Sequence, residues 1–386
     1  MKKHFITGGT GYVGRNLVEA LVKRGDKVVL LVRKRSNVAK TDRLNLIFKN
    51  LSSISVLTGD ITRKNLGISE KDLVKLKRLK IDNVWHLAAS TSLRQDENYQ
   101  SRYKVNVLGT GNVVKFTEEV NSKLCFVSSV YVAGNAQKFT EGMLDIGQEF
   151  RNSYEETKFK AEKLIHLNKK VPFIIFRPSI IIGRPTIELA TACKFNYYRY
   201  AYLFYFFKKW LVGLLTHPLS KKIIKIPGLK LSLVKNAIRI PYLILPYPKK
   251  SKVNLIEMDY VIRTMIKIAS NKNAYNQTYH LIHPTPREYI SLMKVMFNDL
   301  SISRVKFIGL NHRLFSILLK FIQFSVFPFR GYLASALLYL PYVTGNPRYI
   351  RKNVNLYNKT PRNLTFKKFS KFNREVFGNY FPYANK

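Results

Sequence analysis

Acidic residues are scarce in this sequence: 23 Asp and Glu face 66 Lys and Arg, a formal charge of +43 over 386 residues. Such a field favours anionic partners, among them phosphorylated cofactors, coenzyme A, lipid headgroups and nucleic acid. Compositional drift towards Lys, Asn, Ile and Tyr is the alternative source of the charge. Cysteine is nearly absent, with only Cys125 and Cys193, which excludes a disulfide framework or a cysteine-built metal cluster, and no metal site is expected. The opening Met1-Lys2-Lys3-His4-Phe5-Ile6 meets Gly8 before the apolar stretch of about 7–15 residues that a signal peptide needs. We therefore expect a reducing, cytoplasmic location. Long uninterrupted apolar runs are missing too. Residues 314–343 are the longest candidate, and Lys320, Arg330, Pro328 and Pro341 interrupt them, whereas a membrane-spanning helix needs about 20 apolar residues in succession.

What is present excludes disorder: 46% of the residues are hydrophobic and 13% aromatic, enough apolar material to bury a core. His4 to Thr7 read as a strand, then comes Gly8-Gly9-Thr10-Gly11-Tyr12-Val13-Gly14, then a helix with Leu17, Val18, Leu21 and Val22 on one face, then the apolar run 27–32. That is a βαβ unit. Glycines at Gly8, Gly11 and Gly14 let the backbone approach a pyrophosphate placed at the positive end of the helix. Where NAD-binding domains end the second strand on an acid, this chain has Arg33-Lys34-Arg35. A cation there suits a 2′-phosphate, so NADP(H) is expected in preference to NAD(H), with Arg33 as the contact and an ordinary basic turn as the alternative. Further apolar runs at 55–58, 83–87, 124–127 and 173–176 alternate with helical stretches. The alternation predicts an α/β fold, a Rossmann-like doubly wound parallel sheet, with polar clusters after each strand converging on one cleft. We expect this domain over 1–185. Residues 186–386 should form a smaller, mostly helical substrate-binding region, with parts of 250–285 completing the sheet.

Tyr154 and Lys158 lie four apart in a helical stretch and share a face. A phenol of pKa about 10 is a poor acid–base group at neutral pH, and a nearby ammonium brings it towards the working range. Ser129, at the end of the preceding strand, is placed to donate a hydrogen bond to a carbonyl oxygen that gains charge under hydride attack. With Thr7-Gly8-Gly9-Thr10-Gly11-Tyr12-Val13-Gly14, Gly59-Asp60, His86-Leu87-Ala88-Ala89, Asn106 and Val127-Ser128-Ser129 in the same order, the chain resembles the extended short-chain dehydrogenase/reductases. The resemblance is specific over about residues 1–185. It implies catalytic roles for Ser129, Tyr154 and Lys158, adenine contacts from Asp60 and Ile61, and a nicotinamide site lined by Pro178, Ser179 and Ile180. Gly8, Thr10, Gly11, Tyr12, Val13, Gly14, Ala88, Ala89, Ser90, Asn106 and Lys158 would complete the cofactor site.

Within that family the chain is similar to the fatty acyl-CoA reductase and thioester reductase branch, with its male-sterility-type NAD-binding domain. The residues that carry this are Leu30-Leu31-Val32-Arg33, Ser90-Thr91, Val130-Tyr131-Val132-Ala133-Gly134, and Arg177-Pro178-Ser179-Ile180-Ile181-Ile182-Gly183. The implied reaction is NADP(H)-dependent reduction of a long-chain acyl thioester, on coenzyme A or a carrier protein, to aldehyde or alcohol. A 3β-hydroxysteroid-type or other secondary-alcohol dehydrogenase, a sugar-nucleotide epimerase or dehydratase, and a non-catalytic NADP-binding membrane scaffold stay open. Residues 186–386 hold 33 cations and six acids, and aromatic-rich apolar stretches at 200–207, 210–215, 240–248 and 314–343 are edged by Lys and Arg. These predict a cap over the substrate, a peripheral contact with the cytoplasmic membrane face, or both. Nucleic acid is not expected, because no recognition module is visible.

Overall fold

A computed structural model describes residues 1–33, 52–91, 98–183, 196–216, 232–234, 237–239, 244–325, 341–344, 346–358, 361 and 364–379. Lys34, Arg35, Cys193 and parts of the apolar stretches, 240–243 and 326–340, lie outside these residues. The chain divides into two compact units. The first comprises Met1–Ile181, Ile256–Pro284 and Pro347–Pro361, and the second Ile182–Leu255, Thr285–Asn346 and Arg362–Lys386.

The first unit is built on seven parallel strands: β1 Lys3–Thr7, β2 Lys27–Val32, β3 Ile54–Thr58, β4 Asn83–His86, β5 Lys123–Val127, β6 Phe173–Pro178 and β7 Gln277–Leu281. Their spatial order is β7-β6-β5-β4-β1-β2-β3, which reverses direction between β1 and β4. That is the doubly wound arrangement, whose ligand crevice opens where the order reverses. The helices are α1 Tyr12–Lys23, α2 Glu70–Arg78, α3 Tyr99–Tyr103, α4 Gly109–Glu119, α5 Ser153–Leu167, α6 Met258–Ala269 and α7 Asn353–Tyr357. A π turn, Lys104–Leu108, joins α3 to α4.

Alternation along each strand feeds two cores. Ile6, Val28, Leu30, Cys125, Ile174 and Phe176 join one with α1 and α6. Their neighbours Phe5, Val29, Leu31, Leu124, Phe126, Phe173 and Ile175 join the other with α2, α4 and α5. Both faces of the sheet are therefore dry except along the partly exposed edge strand β3, which is why the other strands read as continuous apolar runs. Each such side chain contributes about 1.5–3 kcal/mol by leaving water.

Residues 347–361 return to this unit through a buried carboxylate. Glu141 Oε2 accepts from the backbone N–H groups of Lys352 and Asn353, both at 2.6 Å, while Oε1 accepts from His280 N–H at 2.9 Å. One acid thus ties the start of α7 to β7.

Among the described residues, the second unit holds helices Asn196–Thr216, Tyr289–Asp299, His312–Ser325 and Phe366–Asn379. Ser232–Val234, Ala237–Arg239 and Ile302–Ser303 form a small sheet, and Ile244–Pro248 pairs in parallel with Lys306–Leu310. The stretches 200–207 and 210–215 are one helix and not two segments cut at Lys208-Lys209. Lysine is a good helix former, and burial of Lys208 is strong enough to lower its pKa. Phe204 packs edge-on against Phe297, and Tyr205 stacks on Phe377.

Candidate active site

The residues expected at the site all fall in the first unit, at or just beyond the carboxyl ends of parallel strands or on the helices that follow. Gly8, Thr10 and Gly11 form the loop from β1 into α1, and Tyr12, Val13 and Gly14 its first turn. Gly8 has φ +72°, and a Cβ there would lie 2.5 Å from the amide nitrogen of Ala88; a Cβ on Gly14 would lie 2.2 Å from the carbonyl oxygen of Gly8. The loop is therefore pressed against the end of β4 and against its own helix, a cradle that any side chain at these positions would fill. Gly11 caps α1 without a side-chain bond, and the first turn has no acid. The positive end of α1 carries no competing anion of its own, which suits a pyrophosphate.

Arg33 is exposed directly after β2. Asp60, after β3, holds Thr62 through its N–H and hydroxyl, both at 2.8 Å. Against the upward push of burial, those two bonds and then the charges of Arg33 and Arg63 keep its carboxyl below the usual range. Ile61 turns inward: it is buried, its side chain approaches Gly109, and its carbonyl accepts from Asn112 at 2.8 Å. Pro178 ends β6, and beyond it Ser179 N–H donates to the Leu281 carbonyl at 3.1 Å; Ile180 follows, half-buried.

A chain of hydrogen bonds runs beneath these loops. Ala88 N–H donates to Thr7 Oγ1 at 3.4 Å, and Thr7 donates to His86 Nδ1 at 2.7 Å. His86 Nε2 meets Thr110 Oγ1 at 3.0 Å, and that hydroxyl donates to the Asn106 carbonyl at 2.6 Å. Burial, with Lys158 adding to it, pushes the His86 pKa down to about 3, so the ring is neutral and this pattern fixes its proton on Nε2. Asn106 accepts from Ser90 N–H at 2.8 Å and donates to the Ser90 carbonyl at 3.1 Å and to Thr157 Oγ1 at 3.0 Å. The amide therefore pins the loop after β4, with Ala89 and Ser90, to α5, at the residue just before Lys158.

Asn152 caps α5 by accepting from Glu155 N–H at 3.1 Å, so the helix begins at Ser153 and brings Tyr154 and Lys158 to its first two turns. Ser129 Oγ accepts from Tyr131 N–H at 3.2 Å and hydrogen-bonds the Tyr154 hydroxyl. Ser129 and Tyr154 are thus brought together, with Lys158 one turn further along α5, but the electrostatics differ from the expectation that Lys158 lowers the phenol. Burial pushes Tyr154 up to about 12, opposed by Ser129 and reinforced by Glu155. The Lys158 ammonium instead donates to the Val127 carbonyl at 2.8 Å and stands 4.5 Å above the Phe126 ring. Burial brings it down to about 8, with Glu162 opposing. Desolvation dominates both groups.

Arg177, near the end of β6, is buried. Its Nε lies 3.1 Å from both carboxyl oxygens of Glu162, Nη2 donates to Oε2 at 2.6 Å, and Nη1 donates to His280 Nε2 at 3.3 Å. His280 Nδ1 in turn donates to the Ile350 carbonyl at 2.8 Å. Sequence reasoning missed Glu162. Its one signal was a four-residue step from Lys158, on the same face of α5.

With this geometry in place, comparison with known proteins fixes the family. The family described as Male sterility protein matches residues 6–218. A nonribosomal peptide synthetase of Aspergillus flavus, asaC, is 25% identical over 310 residues, covering 74% of this chain and 26% of that protein. The fatty acyl-CoA reductase wat of Drosophila melanogaster is 26% identical over 222 residues, covering 46% of this chain and 42% of that protein. The chain therefore spans less than half the length of either relative. The terminal R domain of the myxalamid PKS-NRPS pathway shares the fold with a TM-score of 0.71 at 19% identity, over 97% of this chain and 91% of that one. The chain belongs to the male sterility protein family, within the NAD(P)-binding extended short-chain dehydrogenase/reductases; fatty acyl-CoA reductases are among its homologues, and it shares its fold with a terminal R domain.

Proposed function

We propose that the chain is an NADP(H)-dependent reductase that converts a long-chain acyl thioester, presented by coenzyme A or a carrier protein, to an aldehyde or alcohol. The observation that carries this reading is the meeting of the Ser129 and Tyr154 hydroxyls one helical turn from the buried Lys158. NADPH would supply hydride to the thioester carbonyl carbon. Burial keeps Tyr154 protonated at neutral pH, so it acts as the acid, giving its proton to the carbonyl oxygen as charge develops there. Ser129 donates a hydrogen bond to the same oxygen. Lys158 stays cationic below about pH 8, one turn of α5 from the phenolate that Tyr154 leaves behind. Collapse of the resulting hemithioacetal expels the thiol and leaves the aldehyde, and a second round gives the alcohol. The preference for NADP(H) rests on Arg33, an exposed cation where an NAD site carries an acid.

The test is cofactor consumption across acyl-CoAs, sterols and sugar nucleotides. NADPH oxidation with the acyl-CoAs, lost by about 10²–10⁴ in Tyr154→Phe, is the expected result. Turnover confined to sterols or sugar nucleotides overturns the thioester assignment. Full cellular function in Tyr154→Phe overturns catalysis and leaves the scaffold. Arg33→Gln should raise the KM for NADPH about tenfold, a charge-assisted contact being worth about 1.4 kcal/mol or more, and leave that for NADH unchanged.

A further inference from the structure

Large apolar side chains exposed on the first unit stand apart in the sequence: Met1, Val74, Leu108, Ile146, Leu167 and Leu356. The helix His312–Ser325 of the second unit is different. Leu314, Ile317 and Phe321 are 54%, 64% and 70% exposed and stand at positions i, i+3 and i+7, which places them on one helical face. Phe315, on the other side, is buried, and the helix packs against the strand Ile244–Pro248. Scattered apolar residues need no partner, but a contiguous exposed face marks an interaction surface.

Charge identifies what covers it. His312 and Arg313 are exposed at the start of the helix, as is Lys306 on the adjoining sequence. The helix contains no acid, and residues 186–386 as a whole hold 33 cations and six acids. A protein partner matching this surface would need an acidic rim around an apolar centre, whereas an anionic bilayer presents that combination everywhere. At 14 residues the helix is about 21 Å long, short of a hydrocarbon core of about 30 Å, and no helix among the described residues is long and apolar enough to cross a membrane. An amphipathic helix of this kind lies in the interface.

We propose that the helix His312–Ser325 seats on an anionic lipid surface. Leu314 and Ile317 enter the boundary between headgroups and acyl chains, and Arg313 and Lys306 meet headgroup phosphates. The assignment does not rest on the thioester reading, since binding to vesicles involves no turnover.

The test is co-sedimentation of the full chain with vesicles of two parts phosphatidylcholine to one part phosphatidylserine, against phosphatidylcholine alone. The wild type should sediment with the anionic vesicles only, and less so as salt rises. Leu314→Glu/Ile317→Glu should bind at least about tenfold more weakly, as expected for two apolar side chains withdrawn from lipid. Its circular dichroism and its thermal unfolding midpoint should be unchanged, because both positions are exposed. No binding of the wild type to anionic vesicles, or equal binding by wild type and variant, overturns the proposal. A wild-type dimer that the double variant abolishes, without vesicle binding by either protein, assigns the face to a second copy and also overturns it.

Discussion

Lys158 and Arg177 are both buried in the first unit, at 3% and 0% exposure, and their surroundings treat the charge in opposite ways. Arg177 has a bidentate carboxylate, a neutral imidazole, the Thr140 carbonyl at 3.5 Å and the Phe139 ring 5.0 Å away. Lys158 has one backbone carbonyl and one ring, with Glu162 felt only as a charge one turn away. The guanidinium is matched donor for donor, so its charge serves the fold. The ammonium is left short of partners, so its proton is held loosely enough for titration near the working range. Glu162 belongs to both, pairing one cation and biasing the other.

Breaking the matched end should have the largest effect. Glu162→Gln leaves Arg177 buried without a counter-ion and should cost about 3–5 kcal/mol of stability, read from denaturant unfolding. A loss below about 1 kcal/mol would show that His280 and Thr140 suffice to hold the charge. Removing the under-matched cation should do the reverse. The Lys158 pKa falls from 10.5 unfolded to about 8 folded, so between those values the unfolded chain binds the proton more tightly and stability rises with pH. Lys158→Met should therefore gain on the order of 1–3 kcal/mol at neutral pH and lose that rise between pH 8 and 10.5, while turnover collapses. In the wild type, turnover should fall as pH climbs past about 8. A Lys158→Met protein less stable than the wild type would mean that Val127 satisfies the ammonium as fully as Glu162 satisfies Arg177. The smallest effect should come from Asn106→Ala, which unpins α5 at Thr157 without touching Arg177. About 1–2 kcal/mol of stability should be lost, with kcat lowered more than KM.

The parts of this arrangement legible in the sequence are those with local causes. Gly8 and Gly14 announce themselves because a side chain at either position collides with backbone. The strands other than the edge strand β3 are visible because both faces of the sheet are buried there. Tyr154 and Lys158 are visible because a helix brings every fourth residue round to one face. The structural role of Arg177 was not legible for the same reason in reverse: its partner Glu162 lies 15 positions earlier on another element. The pinning role of Asn106 depends on Ser90 and Thr157, 16 and 51 residues away, and no local pattern reports such pairs. The height of the Tyr154 pKa was illegible because it is set by burial, and spacing carries no information about burial.

Glu141 carries a consequence for the order in which the chain can be made. Its carboxylate waits for amide groups 211 and 212 residues further on, and β7 arrives nearly 100 residues after the strand it pairs with. At a synthesis rate of about 5–20 residues per second, the first unit stays incomplete for roughly ten seconds or more after Glu141 emerges, with an unpaired edge on β6 for part of that time. The nascent protein therefore cannot finish its nucleotide-binding half first and its second half afterwards. Both must be on hand, and a fragment ending near residue 185 should not be a stable domain but a substrate for chaperones.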